Sequence, residues 1–346
     1  MAKQTLAVKY RPQTFEDVTE QGSIKVILQQ QLSCDEVKNA YLFCGGAGTG
    51  KTTCARIFAN EINHGQGNPI EMDAASHNGV DDVRDIIQQA KTKSIDSEYK
   101  IFIIDECHAI SNTGWQAFLK IIEEPPAKSI FLFCTTDPQK IPKTILSRVQ
   151  RYDFHRISQK GIFDRLHYIS LAELGMQKDI SIEMDALEYI AKLADGGMRD
   201  AITMLDKCIS YSTDITLENV VKALGTVDYD MMMALTDHIV ANPAPQEAIE
   251  IIEAIHADGK DLRQFIKSYL QFLLDLQKYS IGCDWRYISI PKTVELTSWL
   301  DLLKDEDFDR CMNLLKSIMT LNTTIKYSGA VKYDIEATIL CFISEE

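Results

Sequence analysis

Gly45-Gly46-Ala47-Gly48-Thr49-Gly50-Lys51-Thr52 is an unbroken G-x-x-x-x-G-K-[ST] stretch. The apolar run Tyr41-Leu42-Phe43-Cys44 precedes it, and a helical pattern through Thr53, Ala55, Ile57 and Phe58 to about Ile62 follows. Strand, loop and helix in that order are the context in which this motif cradles phosphate. Glycines let the main chain curl so that successive N–H groups point inward, and the helix N-terminus adds partial positive charge. Lys51 is placed to reach the β and γ phosphates of a nucleoside triphosphate and Thr52 to ligate Mg²⁺. A glycine-rich turn is the plain alternative, and the agreement of every fixed position with both flanks argues against it.

The apolar run Ile101-Phe102-Ile103-Ile104 ends in Asp105-Glu106, which brings two acids to the carboxyl edge of a parallel sheet beside the loop. Asp105 suits Mg²⁺, directly or through water, and Glu106 suits polarising the water that attacks the γ phosphate. Asp105-Glu106-Cys107-His108 also spells a helicase-style DExH box. A helicase of that kind needs a second parallel-sheet lobe, whereas residues 158–346 read as helical. Ile130-Phe131-Leu132-Phe133-Cys134 ends in Thr135-Thr136-Asp137, setting a hydroxyl next to the acids; alone, Thr-Thr-Asp-Pro is a turn and helix start. Arg148 closes a short helix near the domain edge, and Arg199 opens another after Gly196-Gly197. Each could equally be a surface charge.

Composition narrows the rest. The chain of 346 residues has room for two or three domains. A net charge of −14 argues against general attraction to nucleic acid or anionic membranes, so any DNA contact must be local. Nine cysteines, without a CxxC pair, fit reduced, buried thiols in a cytosolic protein. The seven scattered histidines form no ligand-spaced pair, and no apolar signal core or membrane-length apolar run is present.

Between residues 40 and 154 short apolar runs alternate with helical stretches, as in a parallel α/β sheet. Strands are expected at 41–44, 70–73, 101–105, 130–134 and 152–154, and helices near 51–63, 80–93, 114–123 and 142–148. After Phe154 strands are expected to stop. Four amphipathic helices fill 158–224, punctuated by Gly175, Gly196-Gly197 and Ser212-Thr213-Asp214, and a wholly helical segment follows from Val227. Met231-Met232-Met233 reads as helix core rather than partner surface.

In order, these elements resemble the AAA+ family, and within it the bacterial clamp-loader ATPases, the gamma/tau subunits of DNA polymerase III. The similarity rests on Lys9-Tyr10-Arg11-Pro12-Gln13-Thr14-Phe15-Glu16-Asp17-Val18, on Asp73-Ala74-Ala75-Ser76 with Gly79-Val80-Asp81-Asp82-Val83-Arg84, and on Leu119-Lys120-Ile121-Ile122-Glu123-Glu124-Pro125-Pro126. Thr135-Thr136-Asp137-Pro138-Gln139-Lys140-Ile141-Pro142 and Thr144-Ile145-Leu146-Ser147-Arg148 complete it. Residues 3 to about 205 are covered closely; the remainder matches only in length and helicity.

The resemblance implies a fold of three parts: an AAA+ P-loop sheet domain over 1–157, a helical lid over 158–225 and an all-helical collar over 226–346. It implies Thr136 as first sensor, Arg199 as second, and Arg148 as an arginine finger acting on ATP held by a neighbouring subunit. Val8, Tyr10, Arg11, Pro12 and Val18 would line the adenine pocket, and Gly79 to Arg84 would face DNA phosphates. A helix N-terminus can do so without a basic surface. ATP and Mg²⁺ are the implied cofactors. The implied partners are other clamp-loader subunits in a pentameric ring, a sliding clamp and primer-template DNA, in a bacterial cytoplasm or that of a virus's host.

Two departures stand out. Asn63-His64-Gly65-Gln66-Gly67-Asn68-Pro69 lies where family members carry a four-cysteine zinc module, so no zinc site is expected. Val149 replaces the usual cysteine after the finger arginine. A short, gamma-like form is expected, of a size a virus or small replicon could encode. The expected function is ATP-driven loading of a clamp during DNA replication, by an ATPase that is not itself the polymerising subunit. Its rivals are another AAA+ DNA-processing ATPase of the branch-migration type and a non-hydrolysing structural ring subunit.

Overall fold

The apolar runs become five parallel strands: β1 (Ala40–Gly45), β2 (Ile70–Asp73), β3 (Lys100–Asp105), β4 (Ser129–Thr135) and β5 (Gln150–Phe154). Their order is β2-β3-β4-β1-β5, with β1 between β4 and β5 and Leu42 opposite Phe133. The computed structural model describes residues 4–77, 79–176, 181–224 and 229–345. It divides into two compact units, Met1–Thr213 and Asp214–Glu346.

Near-continuous apolar strands arise because both sheet faces are covered. Alternate residues Leu42, Phe102, Ile104, Phe131 and Phe133 join the core beneath α4 (Val80–Ala90) and α5 (Asn112–Glu123). Tyr41, Phe43, Ile101, Ile103 and Leu132 face α2 (Gly22–Ser33) and α3 (Lys51–Ile62) instead. Phe133 is fully buried, stacks on Phe131 and meets Phe118 edge-on; truncating such a ring to alanine costs about 3–5 kcal/mol. α1 (Leu6–Lys9) precedes the sheet and α6 (Lys143–Leu146) precedes β5.

Several element ends differ from the sequence expectation. α5 begins at Asn112 rather than near 114, because Ser111 caps it: its Oγ accepts from Gly114 N at 3.2 Å. α4 stops at Ala90 and α6 at Leu146. Gly175 does not punctuate; it lies inside α7 (Gln159–Met176). α7, α8 (Met184–Leu193), α9 (Met198–Tyr211) and α10 (Leu217–Leu224) are the four expected helices. Strands do not stop at Phe154, since Ser181–Ile182 and Asp214–Ile215 are extended; two residues carry no alternation to read.

The unit boundary at Thr213 precedes the expected change at 225/226, and residues 225–228 lie outside the described ones. Beyond α10, the second unit is helical: α11 (Tyr229–Thr236), a π-helical turn at Asp237–Ala241, α12 (Pro245–Ala257), α13 (Leu262–Ser280), α14 (Val294–Leu300), α15 (Asp305–Thr324) and α16 (Val331–Glu345). Its core includes Met232, Ile252, Tyr269, Leu273, Leu314 and Ile335, with Met231 and Met233 packed partly buried against it. Asp275, fully buried on α13, accepts from Ser289 N at 2.7 Å and pairs with Lys278 at 2.7 Å. No helix among the described residues is long and apolar enough to cross a membrane.

Candidate functional site

The glycine-rich stretch turns from β1 into α3 with φ of +69° at Gly48 and +100° at Gly50, a backbone region that disfavours side chains. At the first helical residue Lys51 is 6% exposed. Its Nζ donates to the carbonyls of Gly45 at 3.0 Å and Gly46 at 2.8 Å. Burial depresses its ammonium pKa, against weaker opposing pulls that include Glu106 and Asp105. Phosphate oxygens in the cradle would exchange two carbonyl dipoles for full negative charge, a stronger partner for this lysine.

Thr52 follows, and its hydroxyl donates to Asp105 Oδ2 at 2.8 Å across α3 and β3. Two hard oxygen donors meet there, the kind of ligand Mg²⁺ takes beside substrate phosphates. Glu106 leaves the strand in a left-handed conformation, φ +46°, and its N–H donates to Asp105 Oδ1 at 3.0 Å. Thr136, following β4, donates its hydroxyl to Glu106 Oε2 at 3.0 Å. His108 Nδ1 lies 3.3 Å from the same oxygen and 3.2 Å from Thr135 Oγ1. The proposed first sensor and the candidate base are thus hydrogen-bonded to each other.

One cavity of about 410 Å³ gathers most of the expected residues. Val8, Tyr10, Arg11, Pro12 and Val18 wall one side; Gly48, Thr49, Gly50, Lys51, Thr52 and Thr53 the other, with Asp105 and Arg199. Gly45, Gly46 and Ala47 are not among its lining residues. Gly45 instead permits the approach of β5, where an added Cβ would fall 2.5 Å from the Phe154 carbonyl oxygen. Arg199 arrives because the start of α9 touches the loop: Met198 N donates to Gly48 O at 3.0 Å.

Arg56, Arg165 and Asp206 also line the cavity and were not singled out in the sequence. Arg56 follows Thr52 by one helical turn, so helical spacing alone could have found it. It is held by Glu71 through two bonds, Nε at 2.7 Å and Nη2 at 2.6 Å. The Arg11 pKa is depressed, first by burial and then by Arg56 and Arg199 nearby. Guanidinium groups crowded this way fit a polyanionic ligand.

Glu106 and Thr136 do not line this cavity, and two further expected sites lie elsewhere. Arg148 is on the surface, its Nη2 2.7 Å from Glu123 Oε1 and its Nη1 donating to Thr144 O at 2.9 Å. At the start of α4, Gly79 N donates to Asp82 Oδ2 at 3.1 Å and Arg84 pairs with Asp81 at 3.0 Å. Acidic side chains therefore already engage the turn expected to face DNA phosphates.

Residues 68–158 match a family model described as DNA polymerase III, delta subunit, and residues 169–214 one described as DNA polymerase III clamp loader subunit, ATPase lid domain. The chain is 39% identical over 303 residues to DNA polymerase III subunit tau of Bacillus subtilis, covering 81% of this chain and 52% of that protein. It is 30% identical over 295 residues to the gamma/tau subunit of Mycoplasma genitalium, covering 79% and 48%. With the tau subunit of Escherichia coli K12 it shares 35% identity over 262 residues, covering 69% and 40%. The chain thus spans about half the length of the curated relatives it matches. Among solved structures, the Thermotoga maritima RuvB Holliday junction branch migration motor superposes with a TM-score of 0.52 at 19% identity, covering 75% of this chain and 90% of that one. That likeness establishes a shared fold and nothing finer.

Proposed function

The chain belongs to the DNA polymerase III gamma/tau family of AAA+ clamp-loader ATPases, and from that premise we propose that it binds and hydrolyses ATP to load a sliding clamp onto primer-template DNA. The observation that carries this reading is the single cavity joining the loop, the Thr52–Asp105 pair, Arg199 and the N-terminal segment. Glu106 and Thr136 stand hydrogen-bonded at the same sheet edge.

Each residue takes a separate task. Lys51 and the loop N–H groups hold the β and γ phosphates, and Thr52 and Asp105 would hold Mg²⁺, which offsets charge on the transferring phosphoryl group. Glu106 accepts the proton of the attacking water while Thr136 fixes the carboxylate's direction. Arg199 ties the start of α9, and with it the lid, to the phosphates. Arg148, exposed and away from its own chain's cavity, is assigned to ATP in the next subunit of a pentameric ring. We assign the ring to other clamp-loader subunits, with 158–225 as lid and 226–346 as collar, working in the bacterial cytoplasm or that of a virus's host.

ATP stabilises one lid angle, the assembled ring then fits clamp and DNA, and hydrolysis removes the fit. A subunit that held nucleotide only for shape would have no use for Glu106 or its bond to Thr136. The decisive measurement is steady-state phosphate release by the assembled complex with clamp and primed DNA. Arg148→Ala should bind ATP normally and lose most stimulated hydrolysis, the scale for such fingers being about 10³- to 10⁵-fold. An unchanged rate would remove the finger assignment.

A further inference from the structure

The wall of the cavity opposite the phosphate loop comes from residues 5–19, and side chains of α7 and α9 hold that segment in place. Glu173 on α7 has a side chain only 3% exposed. Its Oε1 lies 2.6 Å from Lys9 Nζ and accepts from the Tyr10 hydroxyl at 2.8 Å. Arg165, two turns earlier on α7, donates Nη2 to the Tyr10 carbonyl at 3.0 Å. From α9, Asp206 Oδ2 accepts from Leu6 N at 3.0 Å.

A carboxylate this deep is stable only when its partners stay in place. The phosphates have no call on it, for Glu173 does not line the cavity. What it does hold is the pair of residues beside Arg11 and Pro12. Its bond to Lys9 keeps that lysine protonated, its pKa raised, and burial with the same carboxylate raises the Tyr10 hydroxyl, which stays a neutral donor.

We propose that Glu173 is a positioning residue for recognition of the nucleotide base: it never touches the ligand, but fixes Tyr10-Arg11-Pro12 where a purine must fit. A ligand whose phosphates sit on the loop extends its base toward this wall, and only there can base identity be read. The proposal rests on the ATP reading above. Loss of Glu173 therefore weakens the base contribution while sparing the phosphate contribution.

The test uses the full chain and three competitors for the site: ATP, GTP and inorganic tripolyphosphate. Glu173→Gln should lower ATP affinity about tenfold, roughly 1.4 kcal/mol, narrow the ATP-over-GTP preference, and leave tripolyphosphate unchanged. Lys9→Met acts on the same carboxylate from a residue that does not line the cavity and is 34% exposed, so it covers the case in which Glu173→Gln does not fold. It should give the same pattern, and the double variant should do no worse than the stronger single one. An equal loss for ATP and tripolyphosphate, or unaltered base preference in both variants, overturns the proposal. Failure of the ATP reading itself looks different: Lys51→Ala would then leave all three affinities as they were.

Discussion

The Thr136 hydroxyl donates to Glu106 Oε2 at 3.0 Å, joining the ends of two adjacent strands at the carboxylate we propose as the base. Glu106→Gln should keep ATP bound and abolish turnover. Thr136→Val, which keeps the shape and deletes the donor, should lower the single-turnover rate by about tenfold to a hundredfold, within the range of acid–base contributions, with little change in ATP affinity. If the valine variant turns over normally, the carboxylate needs no such guide.

Burial holds the Lys51 ammonium below its ordinary pKa of 10.5. Just below that value the unfolded chain keeps a proton that the folded chain has begun to lose, so stability rises with pH there. Without nucleotide, the unfolding free energy of wild type minus that of Lys51→Met should increase as pH climbs through this window. Saturating ATP should erase the slope, since phosphate favours the charged lysine. A flat difference without nucleotide would contradict the burial argument.

Asp275 ties the loop after α13 through Ser289 N, with Lys278 and Gln271 on its other oxygen. Asp275→Ala deletes the buried carboxylate that accepts from the half-buried Ser289 N and Lys278 Nζ, and should destabilise the second unit by about 2 kcal/mol in urea titration. A loss no larger than that of an exposed pair, about 0.5 kcal/mol, would mean the loop is held by other contacts.

Thiol reactivity should follow depth. Burial pushes the pKa of Cys44 up to about 11 and that of Cys54 up to about 12, and lifts Cys107 and Cys134 well above the usual thiol range. Cys34 and Cys341 are exposed. Iodoacetamide at neutral pH should modify those two first, by intact mass and peptide mapping, without loss of ATP binding. Early alkylation of Cys44 or Cys134 would mean the sheet opens readily.

Local placement was legible in advance: β2 spans Ile70–Asp73 as read, Thr52 bonds Asp105, and Lys51 lines the same cavity as both. The start of α5 was missed because the Ser111 cap was passed over in favour of the apolar pattern. His108 was read only as the end of a DExH box, whereas Arg165 and Glu173 escaped for a different reason. Their roles exist only once strand ends and lid helices are brought together, and nothing in their immediate neighbours marks them. Arg148 was read as closing a helix that in fact ends at Leu146, and its pairing with Glu123 depends on α5 and the turn after α6 meeting in space.

The hydrogen bond from Met198 N to Gly48 O uses only main-chain atoms. Side-chain exchange at position 198 therefore cannot cut it, but proline can, for it alone lacks the N–H. Because Met198 opens α9, a ring there suits the helix it begins. Met198→Pro would thus release the start of α9 from the main chain of the loop while leaving Arg199 its guanidinium, separating the two links by which α9 meets the cavity.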